Sequence, residues 1–180
     1  MNNIFYYTYR LFSKIKSFIR SRYVISCLSA DSDCPRILGD LYINAKNIKI
    51  GKNVTIYPGV YIWGNNIEIG DNVNIGVGTI IFSRKHVYIG NDTIIAGQCY
   101  IIDSNHSVDK SEIIWKQPLD ISSNGIYIGN DVWIGAQCAI IKGAIINDGA
   151  VIGAQSLVNK EIPSYAIAYG TPVKVSSYRK

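Results

Sequence analysis

An aliphatic residue returns every six positions through the later part of this chain: Ile128, Ile134, Ile140, Ile146, Ile152 and Val158. Glycine follows three of them directly, at Gly129, Gly135 and Gly153. Four residues after each of the first five stands a small or slender side chain: Val132, Cys138, Ala144, Ala150 and Ser156. A period of six is neither the helical 3.6 nor the strand's 2, but as a multiple of two it suits short extended segments. Three such segments make a triangular turn of about 18 residues, with the aliphatic side chain at the axis and the glycine relaxing the backbone near the corner. The spacing therefore predicts an all-β solenoid, a β-helix.

The same period runs through Ile50, Ile56 and Ile62, slips by one residue before Ile69, Ile75 and Ile81, and slips by two before Ile89, Ile95 and Ile101. Asn66 and Lys85 stand just before those slips, so the added residues are expected to bulge at one corner while the core register survives. The step from Ile101 to Ile128 is 27 residues instead of six. Such an excursion, a loop at about 102–127, is uncommon in a tight solenoid and tends to carry function. The expected organisation is an N-terminal helix and linker over 1–40, a β-helix over 41–165 and a coda over 166–180, with Pro163 and Pro172 punctuating the end of the repeat.

Residues 3–23 read as an amphipathic helix. Phe5, Tyr9, Phe12, Ile15 and Ile19 recur at spacings of three and four, and Arg10, Lys14, Lys16, Arg20 and Arg22 gather beside them. Two readings stand: a helix packed across one end of the stack as a cap, or a peripheral anchor on the inner membrane, since aromatics with Lys and Arg suit an interface. Apolar residues make up 48% of the 180 and charged residues 17%, which excludes a disordered chain or a coiled coil. The net charge of +5 concentrates at the two ends, facing water, an anionic membrane or a phosphorylated ligand; no nucleic-acid partner is expected. Cys27, Cys34, Cys99 and Cys138 form no disulfide framework, and Cys99 and Cys138 fall at the slender position, where a thiol packs as a small hydrophobe. No run approaches 18 apolar residues and no clean secretory pattern opens the chain, so the expected location is cytoplasmic, on the inner face of the membrane if the helix is an anchor.

The chain has two histidines, His86 and His106. His86 stands at a corner slip and reads as a solvent-exposed residue. His106 lies five residues past Ile101, where the coil departs into its long loop. An imidazole there projects from the end of a rigid strand, and its ordinary pKa of about 6.5 suits it to remove a proton at neutral pH. A turn histidine bonded locally is the plainer reading. Within the loop, Trp115, Lys116 and Gln117 offer an aromatic face and polar groups of the kind that bind sugars. Tyr57, Tyr61, Trp63 and Tyr88 add outward aromatic surface that suits saccharide stacking and subunit contact equally.

The runs IYIGNDVWIGAQCAIIKGAIINDGAVIGAQSLVNKEIPSYAIAYGTPVKV and IIDSNHSVD resemble the hexapeptide-repeat acetyltransferases, and most of all the O-acetyltransferases of galactosides, maltose, and capsule or O-antigen sugars. The resemblance covers roughly residues 43–175. It implies a left-handed parallel β-helix, a homotrimer with active sites at subunit interfaces, and acetyl-CoA as donor. His106 matches the family's catalytic histidine, implied to take the proton from a sugar hydroxyl as it attacks the thioester directly. Ala136 matches the position whose backbone N–H meets the developing oxyanion. Asp103 or Asn105 would orient the imidazole, Asp103 being the better electrostatic partner. Coenzyme A contacts carry over to Ala136, Gly153, Ala154, Asn159 and Lys160, with Trp133 near the pantetheine or acceptor, and Lys160 and Lys174 toward the phosphates. The chain departs from the pattern at Asn159, where the family has threonine, at Tyr169 within AYGTP, and at Ser177 in place of a late arginine.

Other acceptors stay open: an amino sugar, serine or a small xenobiotic. The roughly 40 residues before the repeat are too few for the helical domain of the serine enzymes, or for the nucleotide-binding domain that often precedes the amino-sugar ones. Two histidines do not make the three-histidine metal site of the β-helix hydratases, and no metal is expected. A non-catalytic scaffold gives no reason for the long break at His106. The expected function is acetyl-CoA-dependent O-acetylation of a sugar hydroxyl in a surface polysaccharide.

Overall fold

The computed structural model describes residues 2–180, with the backbone alone for residues 2, 3, 17, 18 and 21; Met1, at the head of the expected segment 1–40, lies outside the described residues. Short parallel strands stack as a left-handed β-helix of about seven turns, against the usual right-handed rule for parallel crossovers. Face one carries strands Arg36–Ile37, Thr55–Ile56, Asn74–Ile75, Ile94–Ile95, Trp133–Ile134, Val151–Ile152 and Ala166–Tyr169 in ladder order. Two long strands, Leu41–Ile50 and Val60–Ile69, each bend across faces two and three. Above them face two continues with Ile80–Ser83, Tyr100–Ile102, Ala139–Ile140 and Leu157–Val158. Face three continues with Val87–Ile89, Ile126–Ile128, Ile145–Ile146 and Glu161–Ile162.

The six-residue period is the stacking period. Ile134 pairs in parallel with Ile95 below it and Ile152 above it, and all three are buried. The slender residues fill the space behind each corner, and Thr93 satisfies its hydroxyl there by donating to Gly129 O at 2.9 Å. Cys99 and Cys138 are buried and donate to Gly135 O (3.2 Å) and Gly153 O (3.1 Å). The hydrogen-bonded contact with Cys138, and then burial, push the Cys99 thiol up, so it stays protonated and packs as a small apolar group.

The expected role of the repeat glycines is corrected by the backbone. A Cβ on Gly135 would lie 2.5 Å from Ala154 N, so glycine is needed because the next coil lies against it. The left-handed φ falls two residues later, on side chains that carry an amide or acid: Gln137 at 60°, Gln155 at 59° and Asp131 at 54°. These residues form ladders up the corners. Gln155 Nε2 donates to Gln137 Oε1 and Gln137 Nε2 to Gln98 Oε1, each at 3.0 Å.

Helix α1 (Asn2–Cys27) meets the base of the stack through its final turns. Val24 is fully buried, Tyr23 O–H donates to Ile43 O at 2.7 Å, and Arg20 pairs with Asp40 at 2.8 Å. Upstream the helix presents its apolar stripe to solvent: Phe5, Tyr9, Phe12, Ile15 and Ile19 are between 47% and 77% exposed. A cap would turn that stripe inward, so only the C-terminal end of α1 covers the stack. At the other end Lys174–Tyr178 folds back antiparallel to Ala166–Tyr169. No helix among the described residues is long and apolar enough to cross a membrane.

Candidate functional site

The insertions all fall on the edge between faces two and three. Asn47 and Asn66 turn the two long strands there with φ of 56° and 50°, residues 84–86 make the next corner, and from Asp103, still buried against the coil, the chain runs out into a loop that returns to the stack at Ser122. Ser104–His106 pairs antiparallel with Leu119–Ile121, His106 opposite Leu119, so the histidine rides on a two-stranded ribbon rooted in the coil. The far part of the loop is tied to itself. Gln117 accepts from Asp109 N at 2.9 Å and donates to Asp109 O (2.7 Å) and Glu112 O (2.6 Å). An ion pair from Lys142 to Asp120 fastens the ribbon to the next coil.

Between ribbon and face two opens a cavity of about 560 Å³, lined by Phe82, Arg84, Tyr100, Asn105, His106 and Trp115 among others. Its size suits a small ligand such as a sugar unit. The His106 ring is exposed and makes no hydrogen bond among the described residues, which leaves both nitrogens available. Trp115 is 86% exposed and lines the cavity; Lys116, its exposed neighbour, is not part of the lining. Asn105 stands beside the histidine with its side chain free of hydrogen bonds among the described residues.

Asp103 does other work than the expected orienting of His106. Its buried carboxylate accepts from the backbone N–H groups of Arg84 (2.8 Å), Lys85 (2.6 Å) and His86 (3.0 Å), and from the Ser83 hydroxyl at 3.4 Å. It closes the corner of the coil below, a charge-assisted cap on backbone donors that would otherwise lack partners. No side-chain hydrogen bond joins it to His106.

The remaining candidates divide between two edges. Asn159 and Lys160 are exposed on the same edge as His106, where Ile145 N donates to Lys160 O at 3.5 Å. Ala136 and Ala154 are exposed on the edge between faces one and two, with Gly153 half-buried beside them and Trp133 on face one, 55% exposed. The Ala136 N–H donates no hydrogen bond among the described residues, so it is free to meet a ligand. Lys174 is exposed at the C-terminal end. One chain therefore does not bring His106 and Ala136 together; they lie on different edges of one prism. Among the described residues no group of three or more His, Cys, Asp or Glu side chains is placed to hold a metal ion.

Sequence reasoning missed Phe82, Arg84 and Tyr100. The register explains their place: Trp63 pairs with Phe82 and Phe82 with Ile102, so outward side chains of successive coils form one column. The Trp63 and Phe82 rings stack at 4.2 Å with planes 16° apart, and the Arg84 guanidinium lies 4.4 Å from the Trp63 ring centre. Alternation within strand Ile80–Ser83 marked Phe82 as outward, but its partners emerge only once the coils are stacked.

Residues 125–160 match the family described as bacterial transferase hexapeptide (six repeats). Over 38 residues, 21% of this chain, the sequence is 45% identical to a dTDP-3-amino-3,6-dideoxy-α-D-galactopyranose 3-N-acetyltransferase of Aneurinibacillus thermoaerophilus; the chain spans about a fifth of that curated relative. The fold is similar to that of AntD, an N-acyltransferase from Bacillus cereus solved with dTDP-4-amino-4,6-dideoxyglucose and coenzyme A, at TM-score 0.67 and 21% identity over 80% of this chain and 84% of that one. It is also similar to a maltose O-acetyltransferase from Clostridium difficile 630, at TM-score 0.62 and 24% identity over 89% and 75%. At those identities the likeness to solved structures speaks for the fold.

Proposed function

We propose, for a chain whose repeats, fold and relatives fit a hexapeptide-repeat acetyltransferase, that it moves an acetyl group from acetyl-CoA to a sugar hydroxyl with His106 as general base. The observation that carries this is the unbonded imidazole of His106 beside Trp115 in a cavity wide enough for a sugar. In the proposed step the sugar O–H gives its proton to His106 as its oxygen attacks the thioester carbonyl carbon. The tetrahedral oxyanion is met by the Ala136 N–H, a donor already fixed by the coil. Collapse breaks the carbon–sulfur bond, and the departing thiolate takes the proton, leaving an acetyl ester and coenzyme A. Asn105 is the neighbour left to steady the imidazole.

Because His106 and Ala136 stand on different edges, the step needs two chains. A closed ring of three copies apposes one edge of each protomer to the other edge of the next, and one site then forms per interface from His106 and Ala136 of the partner subunit. The groove between them is the place for coenzyme A, with Gly153, Ala154, Asn159 and Lys160 along its walls and Lys174 toward the phosphates.

A thiol-release assay with acetyl-CoA against a saccharide panel tests the reading, with mass spectrometry locating the new bond. An ester is the expected product. An amide on an amino sugar, the second reading favoured by the two N-acyl relatives, would correct the acceptor and keep the base. No thiol release with any saccharide or amino sugar would overturn the reading.

Helix α1, in the same proposal, lies on an anionic membrane surface at the cytoplasmic face. Its exposed apolar stripe supports this, as does its charge: the first 30 residues hold five basic side chains and no acidic one. The protein should co-sediment with phosphatidylserine vesicles, less so at high salt, and Phe12→Asp with Ile15→Asp should release it. Equal recovery with and without vesicles would contradict the placement.

A further inference from the structure

We infer that the acceptor carries an anionic group, a carboxylate or a phosphate, and that Arg84 holds it. The inference rests on the acetyl-transfer reading of the His106 cavity and names the class of substrate that cavity takes.

Arg84 lines the same cavity as His106 and Trp115. Its position is fixed twice over. The backbone N–H donates to buried Asp103 at 2.8 Å, and the guanidinium rests 4.4 Å from the centre of the Trp63 ring and 5.1 Å from that of Phe82. Stacking on aromatic faces leaves the in-plane N–H donors of an arginine free, in the fork that matches a carboxylate or phosphate. No acidic side chain among the described residues takes that fork. Asp40 pairs with Arg20, Asp120 with Lys142, Asp131 with Arg179 and Glu68 with His86, while Asp103 is committed to backbone amides. Lys85 beside it is exposed, and its side chain makes no ion pair among the described residues.

The charge faces the acceptor's half of the groove. The positions proposed for coenzyme A, Ala136, Ala154, Asn159 and Lys160, all belong to coils after that of His106. Arg84 belongs to the coil before it, as the hydrogen bond from its N–H to Asp103 records. An anion meeting Arg84 is therefore carried by the acceptor. A neutral sugar would leave this preorganised cation without a partner beside an aromatic wall. An acidic sugar residue and a sugar phosphate would both satisfy it.

Two measurements on the full chain test this. Tryptophan fluorescence, sensitive to Trp63 and Trp115, is followed while glucose, glucuronate, glucose 1-phosphate and inorganic phosphate are added in turn. Glucuronate or a phosphate should bind at least tenfold more tightly than glucose, and Arg84→Gln should lose about ten- to hundredfold of that affinity, with Arg84→Lys between the two. Glucuronate against phosphate tells the carboxylate source from the phosphate source. Acetyl transfer measured with the same variants should show KM for the anionic acceptor raised in Arg84→Gln, with kcat and KM for acetyl-CoA held. Equal binding of glucose and the anions, or an unchanged Arg84→Gln, overturns the inference. Loss of acetyl-CoA binding in that variant also overturns it, by assigning the charge to the donor. If no saccharide is acetylated at all, the acetyl-transfer reading falls, and the fluorescence titration alone still decides whether Arg84 binds an anion.

Discussion

Replacing Asp103 by Asn separates a structural carboxylate from a catalytic one. Oδ2 accepts from Lys85 N and His86 N at 2.6 and 3.0 Å, and Oδ1 accepts from Arg84 N at 2.8 Å. An asparagine amide is best placed with its oxygen at the Oδ2 site, which turns its NH₂ toward the Arg84 N–H. One buried donor then loses its partner, at about 1–3 kcal/mol. The two surviving backbone bonds, from Lys85 and His86, lose their charge assistance, at about 1 kcal/mol each, and the longer Ser83 contact adds little. The sum, about 3–5 kcal/mol, is a large part of the 5–15 kcal/mol that ordinarily separates folded from unfolded protein. Urea unfolding at fixed protein concentration, followed by circular dichroism, should show the unfolding free energy fall by that amount. Acetyl transfer per folded molecule, measured where the variant is fully folded, should keep its pH profile. A variant as stable as the parent that loses turnover would refute the argument and return Asp103 to the side of His106.

Further outcomes follow from the same geometry. Ile134→Ala empties a fully buried axial position and should cost about 2–5 kcal/mol in the same unfolding assay; a loss below about 1 kcal/mol would contradict a close-packed axis. The hydrogen bond from Lys49 holds the exposed Asp31 carboxyl below its ordinary range. Its contribution to stability is therefore present above that range and fades as pH falls through the depressed value. Asp31→Asn should lower the thermal midpoint slightly at pH 7 and leave it unmoved at pH 2, whereas equal shifts at both would contradict the pairing. His106→Ala and Ala136→Pro, the second lacking the donor N–H, should each be inactive alone and regain activity when co-assembled. Mixed assemblies without activity would place both groups in one chain's site.

The repeat period was enough to read the solenoid, because axial packing in a β-helix depends on one side chain per six residues and tolerates insertions at a corner. The same register exposed His106, since a 27-residue break has nowhere to go but outward. The use made of Asp103 was not legible. It stands three positions before His106 in sequence, while its partners Arg84, Lys85 and His86 lie a full coil away. The corners were misread for a related reason: the glycine after an axial residue was expected to relax the backbone, but Gly135 is needed for its missing Cβ, and the left-handed φ falls two residues later, on Gln137 and Gln155, whose amides bond along the ladder. Amphipathicity identified α1 but not which way it faces, since a stripe reads the same whether it meets a core, a neighbouring chain or a lipid surface.

Single-turnover transfer from radiolabelled acetyl-CoA to a saccharide acceptor, comparing the parent with His106→Ala, bears most directly on the central claim. The rate should fall by about 10²–10⁴-fold while the variant binds coenzyme A as tightly as the parent. Undiminished transfer by the variant would contradict the account.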